Sequence, residues 1–366
     1  MRRQMHTIPR KELEKVFYLK PEAVYGRTLL LMPLWDGFNW HQWIDAPPGS
    51  FIKIQVIDTI HSNYVAKFRA NESDLWIQFI DIMWQRTSYP EIADAVKGIQ
   101  DDFHLLGTCA DKLRHYYETQ AQIARDMRAS YVRTELEYLL TVARSTFDLL
   151  QKAIAYLWNN TTKLLDPELD AKRQTRKLPP DSFTKMVLRD RHIVRSSSEL
   201  TEAYTLPPLL AEAYSHYGAF FAALMQAPDR IMHRGDSIET IFETEKGFCV
   251  DPKAKTFASF QWKAEHYYNE NIVSLLPWLA HVIFGTIEAC DQIMLAFART
   301  ISLPEEIAPG YRVFIRDPAN KAIIHLGRVA EGKVIWWSDA VSDVQQTAGS
   351  PPPIAQPERK SSPKGV

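Results

Sequence analysis

Leu136-Glu137-Tyr138-Leu139-Leu140-Thr141-Val142-Ala143-Arg144-Ser145-Thr146-Phe147 is the stretch on which the fold reading turns. Its apolar residues Leu136, Leu139, Leu140, Ala143 and Phe147 recur at steps of three and four, and Leu150, Ile154 and Leu157 continue the series. That spacing draws one apolar stripe along one helix face, with Arg133, Glu137, Arg144 and Lys152 on the other. No Pro or Gly lies between Asp111 and Trp158, so nothing local obliges a break. The spacing predicts one long central helix over 111–158, or two in series.

Outward from this helix, a linker with Pro167 and Pro179-Pro180 leads to helical patterns over 181–194, 208–225 and about 260–300. Pro277 is expected to kink or divide the last of these. On the N-terminal side, Val56, Ile57, Ile60, Tyr64 and Phe68 suggest another helix, as do residues 74–85. Ile52, Ile54 and Val56 alternate with Lys53 and Gln55, as a short strand would. Residues 1–50 read as an irregular arm carrying Trp35, Trp40 and Trp43 and ending in Pro47-Pro48-Gly49. Beyond Pro304, Tyr311-Arg312-Val313-Phe314-Ile315 and Lys333-Val334-Ile335-Trp336-Trp337 alternate, the pattern of a small β-hairpin. Gly349-Ser350-Pro351-Pro352-Pro353 and Ser361-Ser362-Pro363 have the composition of a disordered tail. The expected architecture is an all-α multi-helix bundle with a small C-terminal β appendage: arm 1–50, helical bundle 51–306, β-hairpin appendage 307–340 and disordered tail 341–366.

Composition narrows the function classes. The chain of 366 residues balances 43 Lys and Arg against 44 Asp and Glu, which argues against a protein that coats DNA through excess positive charge. Cys109, Cys249 and Cys290 have no metal or redox spacing. The apolar run 272–287 is interrupted by Ser274, Pro277, His281 and Gly285 and falls short of the ~20 residues of a membrane span. No apolar signal segment opens the chain. A cytoplasmic protein with no membrane association is expected. Gly-x-Ser-x-Gly, His-Glu-x-x-His and phosphate-cradling glycine loops are absent from the sequence, and no cofactor is expected.

One polar island concentrates chemistry: Pro228-Asp229-Arg230-Ile231-Met232-His233-Arg234-Gly235-Asp236, directly after the apolar run 211–225. If that helix continues, Arg230 and His233 lie one turn apart on one face. A guanidinium can grip a phosphate oxygen and an imidazole can move a proton near neutral pH, which suits a phosphodiester. The same residues also suit a helix terminus, with Gly235 as cap and the cations near the carbonyl end. A second candidate is the basic segment containing Lys172, Arg173, Arg176, Lys185, Arg189, Arg191 and Arg195, a phosphate-binding surface or a solvated helix face. His233, Asp236, Glu239 and Glu243 fall at helical steps, but Gly235 interrupts them, and no metal is expected there.

The segment Asp229–Gly235 resembles the motif of HEPN proteins, short helical-bundle domains of which many are metal-independent ribonucleases. His233 matches the family's histidine and Asp229 its polar position. The family's arginine stands further from the histidine than Arg230, which is separated from His233 by two residues, and Gln226, Ala227 and Pro228 occupy the expected places. The resemblance implies a ribonuclease or an inactive RNA- or partner-binding relative, acting as a homodimer. Arg230 would orient the phosphate, His233 would act as acid or base, and Asp229 or Asp236 would orient His233. The competing expectation is a non-enzymatic helical interaction or scaffold protein that oligomerises, or binds a protein partner, through its aromatic-rich surface.

Overall fold

The computed structural model describes residues 7–9, 15–28, 31–46, 50–161, 163–173, 176–190, 193–226 and 240–339. The chain opens with strands β1 (Thr7–Pro9), β2 (Leu34–Trp35), β3 (Trp40–Ala46), β4 (Ser50–Val56) and β5 (Ser62–Ala66). Helices follow: α1 (Gln78–Arg86), α2 (Pro90–Glu118), α3 (Arg125–Tyr156), α4 (Pro167–Arg173), α5 (Phe183–Val187), α6 (Ser197–Tyr204) and α7 (Pro208–Gln226). Strands β6 (Phe242–Thr244), β7 (Gly247–Val250) and β8 (Val273–Ser274) precede α8 (Leu275–Ala298), and the chain continues through β9 (Arg312–Arg316) and α9 (Asn320–Ala330).

The fold is therefore mixed, not all-α. One sheet has the order β1-β4-β3-β2-β5-β9 and a second the order β6-β7-β8. The tryptophan segment is not an irregular arm. Trp40 and Trp43 lie on β3, which pairs antiparallel with β4 from Trp40↔Val56 to Ala46↔Ser50. Alternation sends Trp43 and Phe51 into the main core and Trp40 to a small cluster on the opposite face, with Tyr64, Ala66 and Phe314. The C-terminal β appendage is also corrected. Residues Arg312–Arg316 pair with Ser62–Ala66 in the large sheet, and Asn320–Ala330 is a helix. Residues 333–337 form no strand. Trp337 is buried, its ring 5.4 Å from Phe248 and 6.4 Å from Tyr117. It lies so close to Gly247, φ +131°, that a Cβ there would come within 2.6 Å of the ring, so both backbone and space require glycine. The expected tail 341–366 lies outside the described residues.

The helical core follows the sequence pattern more closely. Leu136, Leu139, Leu140, Ala143, Phe147, Leu150, Ile154 and Leu157 are all fully or almost fully buried. The 111–158 segment is two helices, α2 and α3, packed against each other. The turn falls at Thr119–Ala124, where Glu118-Thr119-Gln120-Ala121-Gln122 interrupts the apolar stripe and the Thr119 N–H closes onto the His115 carbonyl. Pro277 does not kink α8. It sits in the first turn, where an N–H has no helical partner to lose. Among the described residues α8 is the one helix long and apolar enough to cross a membrane, and it is largely buried, packed against α3, α7 and α9.

Candidate functional site

The island 228–236, with Asp229, Arg230, His233 and Asp236, lies outside the described residues, as does Arg191. Its two flanks are described. On one side α7 packs against α3, α6 and α8. On the other, Glu243 of β6 makes an ion pair with Arg128 of α3, Nη2 to Oε2 at 2.8 Å, with both side chains largely buried. Further along α3, Glu135 accepts from Lys112 of α2 at 2.9 Å, and its other oxygen is buried without a hydrogen-bond partner. Burial, reinforced by Glu135, pushes the Cys109 thiol up to about 12, so this cysteine is no thiolate nucleophile.

Much of the basic segment ties helices together. Arg173 Nε bonds Asp170 at 2.7 Å and its Nη1 donates to the Trp158 carbonyl. Arg176 Nη1 donates to the Glu202 carbonyl. Arg189 pairs with Glu199 at 3.2 Å, and Glu199 itself completes a capping box with Ser196 at the start of α6. Arg195 is half-buried, and its carbonyl accepts from Ser215 at 3.0 Å. Lys172 and Lys185 are exposed. The guanidinium groups of Arg173, Arg176 and Arg189 are thus used in local contacts.

Among the described residues, the densest constellation of chemistry lies elsewhere, in residues that no sequence motif singles out. His61 immediately precedes β5, His104 lies on α2, and Asp317 immediately follows β9. Their candidate ligand atoms all lie within 4.8 Å of one another. Asp317 Oδ2 is 3.2 Å from His104 Nδ1 and is also hydrogen-bonded to His61 Nδ1. The two imidazole rings are 4.4 Å apart, centroid to centroid. The His104 and Asp317 side chains are 8% and 7% exposed, while that of His61 is 62% exposed, so the group opens to solvent on one side.

The surrounding backbone fixes this geometry. Asp317 Oδ1 accepts from the Ala319 N–H at 2.7 Å, and the Asn320 side chain donates to the Ile315 carbonyl at 2.9 Å. These bonds anchor the turn into α9 and leave Oδ2 for the imidazoles. Burial holds His104 below the usual histidine range, with Asp317 pulling the other way and His61 adding to the depression. An imidazole kept neutral has a lone pair to offer. Sequence reading passed over the three because they are scattered along the chain. Asp317-Pro318 reads in sequence as a break, and no motif or spacing draws attention to His104.

An open groove of about 470 Å³ between α7 and α8 is lined by Glu212, His216, Tyr217, Glu288 and Arg299 among others. Burial and the neighbouring Glu288 push the Tyr217 phenol up to about 12. No family model, curated protein or solved structure matches the chain.

Proposed function

We propose that the protein acts on RNA through the island Asp229–Asp236, as a HEPN-like ribonuclease or an RNA-binding relative built into a mixed α/β frame. The supporting observation is the setting of the island. It leaves from the end of α7, a helix packed against α3 and α8, and the chain after it is pinned to α3 by the Arg128–Glu243 pair. In this reading Arg230 holds a phosphate oxygen and His233 moves the proton, with Asp229 or Asp236 orienting it. The substrate's 2′-hydroxyl gives up its proton and attacks the adjacent phosphorus. The bond to the 5′-oxygen breaks, and that oxygen takes a proton, leaving a 2′,3′-cyclic phosphate. The family resemblance implies a homodimer.

The test is cleavage of single-stranded and hairpin RNA in EDTA. Wild type is expected to cleave, and His233→Ala to slow cleavage by a factor of about 100 or more. Intact RNA, or equal rates in the two proteins, would reject the enzyme. Retention of RNA by wild type, lost in Arg230→Ala, would leave the binding relative standing.

A second reading, a non-enzymatic interaction protein, is favoured by one specific observation. The register aligns Val56, Trp40, Trp35 and Ala66 across the sheet, so the chain segments that follow Trp35, Val56 and Ala66 emerge at one end. They carry Phe38, Ile57 and Phe68, which are 86%, 92% and 82% exposed. Large apolar side chains grouped on separate loops mark contact surfaces. The tryptophans expected to serve this role, Trp40, Trp43 and Trp337, are buried instead. Sedimentation of wild type beside a Phe38→Ser/Phe68→Ser double variant tests this surface, with self-association or partner capture expected only in wild type.

A further inference from the structure

We propose that His61 Nδ1, His104 Nδ1 and Asp317 Oδ2 form a three-ligand site for a first-row divalent cation of the zinc class, with water completing the coordination on the solvent side. The proposal is independent of the RNA reading, whose chemistry needs no metal.

The donor set comes first. Two imidazoles and one carboxylate suit Zn²⁺, Co²⁺ or Fe²⁺ better than Ca²⁺ or Mg²⁺, which prefer oxygen ligands throughout. Three protein ligands leave a position open, as catalytic zinc sites do.

Spacing comes second. Two ligands each ~2.0–2.1 Å from a tetrahedral zinc stand about 3.3 Å apart, and His104 Nδ1 lies 3.2 Å from Asp317 Oδ2. His61 hydrogen-bonds to the same oxygen, and its side chain is 62% exposed just ahead of a strand. A swing about its own side-chain torsions admits a cation among the three atoms.

The third argument is independent of the ligands. Asn63, two residues after His61, holds both of its side-chain amide atoms buried without a hydrogen-bond partner. Asn63 is only 6% exposed, and strand alternation sends it to the side of the sheet opposite Tyr64. Buried polar groups are almost always satisfied. An unsatisfied buried amide on the strand face toward His61, next to two imidazoles and a carboxylate, is the setting that a hydrated ion completes.

Binding through Nδ1 uses the Nε2–H tautomer of each imidazole. Each moves its proton from Nδ1 to Nε2, and the two Nδ1–H···Oδ2 hydrogen bonds are exchanged for two metal–nitrogen bonds and one metal–oxygen bond. The cation would then link the start of β5, the middle of α2 and the end of β9.

The experiment uses the full chain, stripped with chelator and titrated with Co²⁺ while visible absorption is followed, then with Zn²⁺ in competition. One equivalent per chain is expected, with the Co²⁺ band displaced by Zn²⁺. His104→Gln and Asp317→Asn, close in shape to the originals, should each weaken binding at least about tenfold. His61→Ala changes an exposed side chain and serves as the decisive variant should either buried substitution unfold the protein, as judged by circular dichroism. It too should lose at least about tenfold. His115→Ala and His216→Ala, outside the site, should bind as wild type does. Absence of a Co²⁺ band in wild type, or a band unchanged in folded His61→Ala, would overturn the site and leave a hydrogen-bonded clasp.

Discussion

Arg316 and Asp317 are neighbours in sequence, yet they enter two different polar environments. Arg316 joins a closed network. Its Nε lies 3.0 Å from Asp74 Oδ1, its Nη2 3.1 Å from Asp74 Oδ2 and its Nη1 2.8 Å from Asp58, while its guanidinium lies over Trp40 and Tyr64. Asp74, 3% exposed, also accepts from the Tyr64 hydroxyl at 2.6 Å and from the Asn71 N–H at 2.8 Å. Asp317 meets two imidazoles near the buried Asn63 amide, whose side-chain atoms lack partners. A saturated network of buried charge specifies structure, whereas an unsaturated one leaves coordination for something else. The contrast separates a structural ion pair from a candidate ligand site on adjacent residues.

Three perturbations test that contrast, and a fourth serves as a reference outside it. The largest effect is expected from Asp74→Ala, which leaves Arg316 to Asp58 and the Thr59 carbonyl and takes the acceptor from the buried Tyr64 hydroxyl. Urea denaturation should show a loss of about 3–5 kcal/mol. A loss below ~1 kcal/mol would mean that the network is solvent-compensated.

Next comes a buried carboxylate remote from both networks. Asp291 on α8 accepts from the Phe79 N–H at 2.7 Å at the start of α1, and desolvation raises its pKa to about 6 from 3.8. The folded value lies above the unfolded one. The stabilising contribution is therefore full below pH ~4 and lost as pH rises through 6, an effect of about 2–3 kcal/mol. Asp291→Asn should flatten this part of the stability-versus-pH profile between pH 4 and 8. An unchanged profile would show that Asp291 titrates normally.

Gly107→Val should cost about 1–3 kcal/mol by overpacking, because a Cβ at Gly107 would already approach Ile323 and Ala319 of the α9 region to 3.0 and 3.3 Å. It should also displace the turn that carries Asp317 and weaken Co²⁺ uptake while leaving the Asp74 network intact. A variant that keeps full Co²⁺ affinity would show that the two events are uncoupled.

Asp317→Asn should change metal-free stability least, by under ~1 kcal/mol, because the side-chain oxygen can still accept from Ala319 N–H. Added Zn²⁺ should raise the melting temperature of wild type and not of this variant. Equal shifts in the two would place the cation elsewhere.

The helical core was legible because its signal is local. The stripe from Leu136 to Ile154 lies on one helix, and every member is buried. The sheet was not legible for the opposite reason. The helical series Val56, Ile57, Ile60, Tyr64 and Phe68 is an accident of spacing: Ile57, Ile60 and Phe68 are mostly exposed, and Tyr64 is a strand residue. The partner that makes Ser62–Ala66 a strand with both edges paired is Arg312–Arg316, too distant for any window of periodicity to register. The same distance hid His61, His104 and Asp317. The basic segment was visible as charge, but its use in binding carbonyls and acids depends on where the helices pack.

The pairing of β5 with β9 carries a consequence for biogenesis. Arg316 and its partner Asp74 are separated by 242 residues. At translation rates of ~5–20 residues per second, β5 waits roughly 12–50 s for its neighbour to be synthesised. During that interval one side of β5 presents open backbone hydrogen-bonding groups, the condition under which nascent chains pair with one another. The helical hairpin can form early from local contacts, while the sheet remains incomplete until β9 arrives. Ribosome-bound chains ending before residue 312 should therefore be the most dependent on chaperones.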